Sequence, residues 1–219
     1  AQLIDVVAHT GESSGIYWID GAERFVTTGT DGDVRRWRVD GRADGVLCHH
    51  NDAVTVVASD LAGEVIVSGS LNGTVGLWRS GRSTRILGGH DGWVTAVAVS
   101  HDGALIASGS NDETIRLWRG DGTFLTRIAG HDYSIATLAF APADDRLLSV
   151  SLDGTAAIWA SDGARLARLT GHERPLLDGA WRADGNAVLT ASEDGTARIW
   201  ATRGSERRVV GGDACTLGE

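Results

Sequence analysis

The chain is predicted to be all-β, five copies of one four-stranded sheet, on three observations. Tryptophans recur at Trp37, Trp78, Trp118, Trp159 and Trp200, spaced 41, 40, 41 and 41 residues apart. A histidine stands 28 residues before each of them: His9, His50, His90, His131 and His172. Between the two lie short alternating apolar runs separated by turn-forming pairs, with almost no helical periodicity. A period in the low forties with four strand-like runs per unit is the signature of a β-propeller blade.

Aligned on the histidines, the blade units run approximately 9–49, 50–89, 90–130, 131–171 and 172–212, within a single domain covering 1–219. The first strand of a unit is the run after its histidine, as in WVTAVAVS after His90. Its alternation suits a strand with a buried face. A turn follows, Asp20-Gly21, Asp102-Gly103 and Asp184-Gly185 in three of the units. The second run, ALIASGS in unit three, leads to a tighter turn: Asp31-Gly32, Asn72-Gly73, Asp153-Gly154 or Asp194-Gly195, with Asp112-Glu113 as the exception. Asn-Gly and Asp-Gly accept positive φ and close two-residue hairpins. TIRLW and TFLTRIAG then supply the third and fourth strands. The outer-strand run occurs once more than the others, because LIDVVAH precedes unit one and RRVVGG follows unit five. Residues 1–8 and 206–212 are therefore both candidates for an outer closing strand, and ring closure needs only one.

The bulk numbers exclude several classes. With 20 basic against 29 acidic residues and no lysine, the chain lacks the clustered positive charge a phosphate backbone needs, so no nucleic acid is expected. No run approaches the ~18 apolar residues of a membrane helix, so no membrane insertion is expected. Two cysteines, Cys48 and Cys215, make neither a disulfide framework nor a metal site, and whether they pair is left open. A reducing, cytoplasmic compartment is the expectation, with a secreted or periplasmic one left open. No methionine is present, which points to a processed chain or an excised fragment. The arginine bias is what a GC-rich bacterial genome would give.

The pattern His…Ser-Gly-Ser-x-Asp-x-Thr-Ile-x-Leu-Trp, in five in-register copies over nearly the whole chain, closely resembles the WD-repeat (WD40) β-propellers. The resemblance implies that each blade's histidine, a Ser/Thr, the turn aspartate and the tryptophan form a hydrogen-bonded chain. Carried over, these are His9, Thr27, Asp31 and Trp37 in blade one, and His90, Ser108, Asp112 and Trp118 in blade three. Blade four has His131, Ser149, Asp153 and Trp159, and blade five His172, Thr190, Asp194 and Trp200. Blade two has His50, Ser68 and Trp78 but Asn72 in place of the aspartate, which should keep the geometry and lose the charge-assisted strength. A buried imidazole needs partners on both nitrogens, so a broken link leaves a polar group unsatisfied at roughly 1–3 kcal/mol. WD-repeat rings usually hold seven blades, sometimes six or eight. Five visible blades are thus expected to be a partial ring of a larger propeller, with a compact five-bladed ring or assembly with another chain as alternatives. Incomplete ring edges would invite self-association.

Histidine, aspartate and serine together suggest a nucleophilic triad, but the trio recurs in every unit and an enzyme needs one site. No metal-ligand spacing such as His-x-x-x-His exists, so neither metal nor cofactor is expected. His49 replaces the usual glycine before the repeat histidine, and His101 is expected in solvent on a turn. Arg35, Arg36 and Arg38 on one strand and Arg207-Arg208 on the last read as solvated edges. Arg36 is the exception, since Leu77, Leu117, Ile158 and Ile199 hold its place elsewhere. A charge there suggests an exposed or partner-covered side of blade one, against simple snorkelling. Trp18 and Trp181, nine residues after a histidine, are read as core.

The resemblance also implies a protein or peptide partner on the loops around the histidines and turn aspartates. The informative positions lie three and five after the histidine and one before the turn aspartate: Glu12, Ser14 and Thr30; Ala53, Thr55 and Leu71; Trp93, Thr95 and Asn111; Ser134, Ala136 and Leu152; Pro175, Leu177 and Glu193. Trp93 stands out because its counterparts are small or polar, and Leu71, Leu152, Leu177 and Tyr133 could extend an apolar patch around it. The alternative is that Trp93 lies over its own loop. The expected function is a non-catalytic protein–protein interaction scaffold. Alternatives are a lectin-like carbohydrate-binding propeller, which lacks the repeated aromatic such sites need, and a sensor module of a larger bacterial signalling protein.

Overall fold

The computed structural model describes residues 6–19, 23–143, 145–202 and 207–211. Five antiparallel sheets follow one another. Blade one is β1 (Ser13–Ile19), β2 (Arg24–Gly29), β3 (Asp33–Arg38) and β4 (Ala43–His49). Blade two is β5 (Val54–Ser59), β6 (Val65–Ser70), β7 (Val75–Arg79) and β8 (Arg85–Leu87), and blade three is β9 (Val94–Val99), β10 (Leu105–Ser110), β11 (Thr114–Arg119) and β12 (Phe124–Ala129). Blade four is β13 (Ile135–Phe140), β14 (Leu147–Ser151), β15 (Ala156–Trp159) and β16 (Arg165–Leu169), and blade five β17 (Leu176–Trp181), β18 (Ala187–Ser192), β19 (Thr196–Ala201) and β20 (Arg207–Gly211). Each sheet is a simple meander, which short turns allow. In the turn between second and third strands the glycines take φ of 79–81°, and Glu113 holds φ 70° in blade three. That left-handed conformation costs a residue with a Cβ about 1–2 kcal/mol, so the Asp112-Glu113 exception is a strained turn rather than a different one.

The core lies between blades. Val67 and Leu77 of blade two meet Val94, Ile106 and Trp118 of blade three. Ala107 and Leu117 meet Ile135, Leu147 and Trp159 at the next junction, and Leu148 and Ile158 meet Leu176, Val188 and Trp200 at the one after. Each junction therefore buries an aliphatic pair against the repeat tryptophan of the following blade, worth roughly 1.5–3 kcal/mol per fully buried large side chain. A Cβ at Gly109 would stand 2.5 Å from Ile135 Cγ2, so glycine there sets how closely blades three and four approach.

Every inner strand carries a register shift at its start, leaving Ser14, Thr55, Thr95, Ala136 and Leu177 as the extra residue. Such a bulge bends the strand and re-aims one side chain. Ser14 donates to the Val54 carbonyl at 2.5 Å, Thr55 to Val94 at 2.6 Å and Thr95 to Ile135 at 2.6 Å. A hydroxyl thus ties each of the first three blades to the next.

The blades form a partial propeller. Inner strands β1, β5, β9, β13 and β17 neighbour one another in chain order, and β17 does not pack on β1 as these do. Leu189 and Ile199 of blade five are exposed, although the residues at their positions in blades two to four are fully buried. Of the two proposed closing strands, 207–211 is formed and pairs with β19. Residues 6–8 form no strand, and the rest of 1–8, with 206 and 212, falls outside the described residues. Cys215 lies outside them too, while Cys48 is buried, with its thiol pushed up to about 11 by burial.

Two expectations are corrected. Arg36 marks no open side of blade one. Its guanidinium lies 4.8 Å from the Trp78 ring of blade two and pairs with Asp44 at 2.8 Å, so beside the buried Val26 a cation–π contact fills the place that Leu77, Leu117 and Ile158 hold at the other junctions. Trp18 is 53% exposed rather than core. Its position faces the preceding blade, as Trp181 shows by donating to the Ala139 carbonyl of blade four at 2.9 Å. Among the described sheets none precedes blade one.

Candidate partner-binding face

The turns between second and third strands and the connections between blades emerge on one side of the array, where the hydrogen-bonded chains also lie. Blade four shows the full arrangement. His131 Nδ1 pairs with Asp153 at 2.9 Å, His131 Nε2 with the Ser149 hydroxyl at 2.8 Å, and the Trp159 indole donates to Ser149 at 2.7 Å. Asp153 also accepts from the Asp132 and Thr155 amides and the Thr155 hydroxyl. Burial alone would raise its carboxyl; the bonds from His131, Thr155 and the Asp132 amide outweigh that and hold it well below the usual carboxylate range. Blade one repeats the set with His9, Asp31, Thr27 and Trp37, and blade five with His172, Asp194, Thr190 and Trp200. In blade three His90 bonds Asp112 at 2.9 Å and Ser108 at 2.6 Å, while Trp118 packs edge-to-face on Phe124. Among the described residues no bond joins Trp118 to Ser108 or Trp78 to Ser68, so in those two blades the tryptophan is packing alone.

The threonine two after the turn aspartate was missed as a member of the chain, although it stands in the repeat pattern. Thr114, Thr155 and Thr196 each donate to the aspartate at 2.6–2.7 Å. This matters most in blade two, where the expectation for Asn72 needs correction: Asn72 does not reach the histidine. His50 Nδ1 pairs with Thr74 at 2.8 Å, and Thr74 donates to Asn72 at 2.6 Å. With no carboxylate beside it, His50 is pushed down to about 4 by burial, then by the neighbouring His49. Its folded value lies below that of the unfolded chain, so its stability is fully present above pH ~6.5 and drains away as the pH falls toward ~4. Asn72→Asp should restore the charge-assisted bond, raise the His50 pKa and stabilise the fold by about 1 kcal/mol at neutral pH, or roughly 2–4 °C in Tm. Thermal melts between pH ~4.5 and ~7 test this; an unchanged or lower Tm, with the same acid slope, would refute it.

The face residues are held rigidly. Within each blade the two loops are joined by one backbone bond: Thr30 to Glu12, Leu71 to Ala53, Asn111 to Trp93, Leu152 to Ser134 and Glu193 to Pro175, all at 2.9–3.0 Å. Ser134 donates to the Asn111 side chain at 2.5 Å, linking the Trp93 loop of blade three to the Tyr133 loop of blade four. Trp93 is 54% and Tyr133 64% exposed, with Leu152 exposed and Leu71 half-buried beside their loops. Two candidates belong elsewhere. Thr95 spends its hydroxyl on the junction to blade four, and Leu177, at the same bulge position, faces the open side of blade five. Glu193 lies 4.0 Å from Arg174.

A meander array with a His–Ser/Thr–Asp chain in its turns defines a repeat-propeller domain. The family model for the WD40 domain, the G-beta repeat, matches residues 41–79, 81–119, 122–160 and 163–201, and the chain belongs to the WD40 repeat family. Each match takes the outer strand of one blade and three strands of the next, so the sequence repeat itself staples neighbouring blades together. No curated protein matches the chain. WD40 repeats generally act as non-catalytic scaffolds for protein–protein interaction.

Proposed function

We propose that this chain is itself such a non-catalytic platform, taking a protein or peptide on the loop face around Trp93. The observation that carries this reading is the exposed indole of Trp93 on a loop pinned by backbone bonds, where the other blades have Glu12, Ala53, Ser134 and Pro175. Solvent-facing tryptophans on rigid supports are characteristic binding anchors. The His–Ser–Asp trios support no catalysis, because the same bonds recur in blade after blade and hold the turns. In paired pull-downs from the native source, a Trp93→Glu bait should lose a protein that wild type and Trp18→Glu both retain. Identical catches from all three baits would refute the reading. A second reading, self-association through the open side of blade five, is favoured by the exposure of Leu177, Leu189 and Ile199 there.

A further inference from the structure

We infer that the segment taken by this loop face is cationic, a peptide whose arginine or lysine side chains lie against Trp93 and Tyr133. The inference rests on the platform reading above and adds the chemistry of the partner. Its ground is the meeting of an exposed aromatic pair with a face of one charge sign. The ten loops on this side, three residues each from 10–12 to 193–195, hold eleven acidic residues and one basic residue, Arg174. The turns on the opposite side carry Arg42, Arg82, Arg146 and Arg182 among their acids, so the negative charge is less diluted by cations on this face than on that one.

The acids divide by role. Asp31, Asp112, Asp153 and Asp194 are engaged by histidine, threonine and backbone donors inside the turns; Asp31 and Asp194 also have an arginine, Arg35 at 3.6 Å and Arg198 at 3.9 Å, whereas Asp112 keeps its charge. Asp112 is held down to about 2 although burial pushes it up, while burial pushes its partner His90 down, so the pair is carboxylate and neutral imidazole at neutral pH. The remaining acids are exposed, and those flanking the aromatic pair are Asp91 and Glu113 on the loops of blade three and Asp132 beside Tyr133. Among the described residues Asp91 and Glu113 pair with no cation, and Asp132 has only Arg168, at 3.8 Å. Unneutralised carboxylates spaced along a rim attract a cation over about 8–10 Å at physiological salt. An indole and a phenol at the centre then receive it through their ring faces, a contact that strengthens as the site is desolvated. An anionic segment would meet repulsion from every blade, and a purely apolar one would leave the carboxylates around it desolvated.

The test uses three sets of fluorescent synthetic peptides of about twelve residues, matched in apolar content and rich in Arg/Lys, neutral, or rich in Asp/Glu. They are titrated into wild type, Trp93→Ala and a triple variant, Asp91→Asn/Glu113→Gln/Asp132→Asn, each checked for an intact fold by its melting curve. The cationic set should bind wild type at least about tenfold tighter than the others. Either variant should weaken it about tenfold, and raising NaCl from about 50 to about 500 mM should weaken it further. The inference is overturned if the triple variant binds as wild type does, or if the cationic peptides ignore Trp93→Ala and so respond to charge alone. Trp93-dependent binding of the neutral or acidic set would overturn it while leaving the platform reading intact. No Trp93-dependent binding of any set would count against both.

Discussion

Replacing Asp153 with alanine is expected to lower stability by about 3 kcal/mol, or roughly 6–12 °C in Tm for a chain of this size. Four donors converge on this carboxylate: the His131 ring, two backbone amides and the Thr155 hydroxyl. Alanine leaves them without an acceptor at a site where the aspartate side chain is 5% exposed, so water replaces the lost bonds poorly. Because the Asp153 carboxyl titrates below the usual carboxylate range in the folded chain, its stabilisation is present above pH ~4 and lost as the pH falls below that. Wild type should therefore shed stability below pH ~4 more steeply than the variant. The exposed turn residue Asp40→Ala should move the melt by less than about 0.5 kcal/mol. An Asp153→Ala melt indistinguishable from wild type would show that the hydrogen-bonded chain does not hold the turn.

Ile158 and Ile199 occupy the same repeat position, and truncating each to alanine should give opposite results. Ile158 is 2% exposed between blades four and five, so Ile158→Ala should cost about 3 kcal/mol through lost burial and the cavity left behind. Ile199 is 38% exposed on the open side of blade five, and Ile199→Ala should cost below about 1 kcal/mol in dilute protein. The same pair tests self-association. If the open side is covered by a second copy at high concentration, the cost at Ile199 should climb toward that at Ile158 as concentration rises, because the variant then loses interface as well as surface. Equal costs at every concentration would mean that the side is already covered within one chain.

The sequence was most legible where one position does one job in every copy. The spacing of Trp37, Trp78, Trp118, Trp159 and Trp200 gave the blades, and the Asp-Gly and Asn-Gly pairs gave the turns, because period and positive φ are local requirements. Legibility failed where a side chain answers to its neighbour in space. Asn72 occupies the place of an aspartate in the repeat, yet Thr74 stands between it and His50. Trp18 shares its repeat position with Trp181, but Trp181 leans on a preceding blade that Trp18 lacks among the described sheets. Thr95 looked like a surface contact until the bulge turned it toward Ile135.

What the sequence by itself determined is the repeat unit: four strands, the first two of its three hairpin turns, and the histidine, hydroxyl and aspartate that lock them, each set by spacing along one stretch of chain. Only the tertiary structure decided which apolar residues are core and which are surface. Ile158 and Ile199 read identically in sequence and differ in burial, because the core lies between blades and a side chain is buried only when the next blade arrives. For the same reason Arg36, an anomaly in one dimension, becomes a packed residue once Trp78 lies against it.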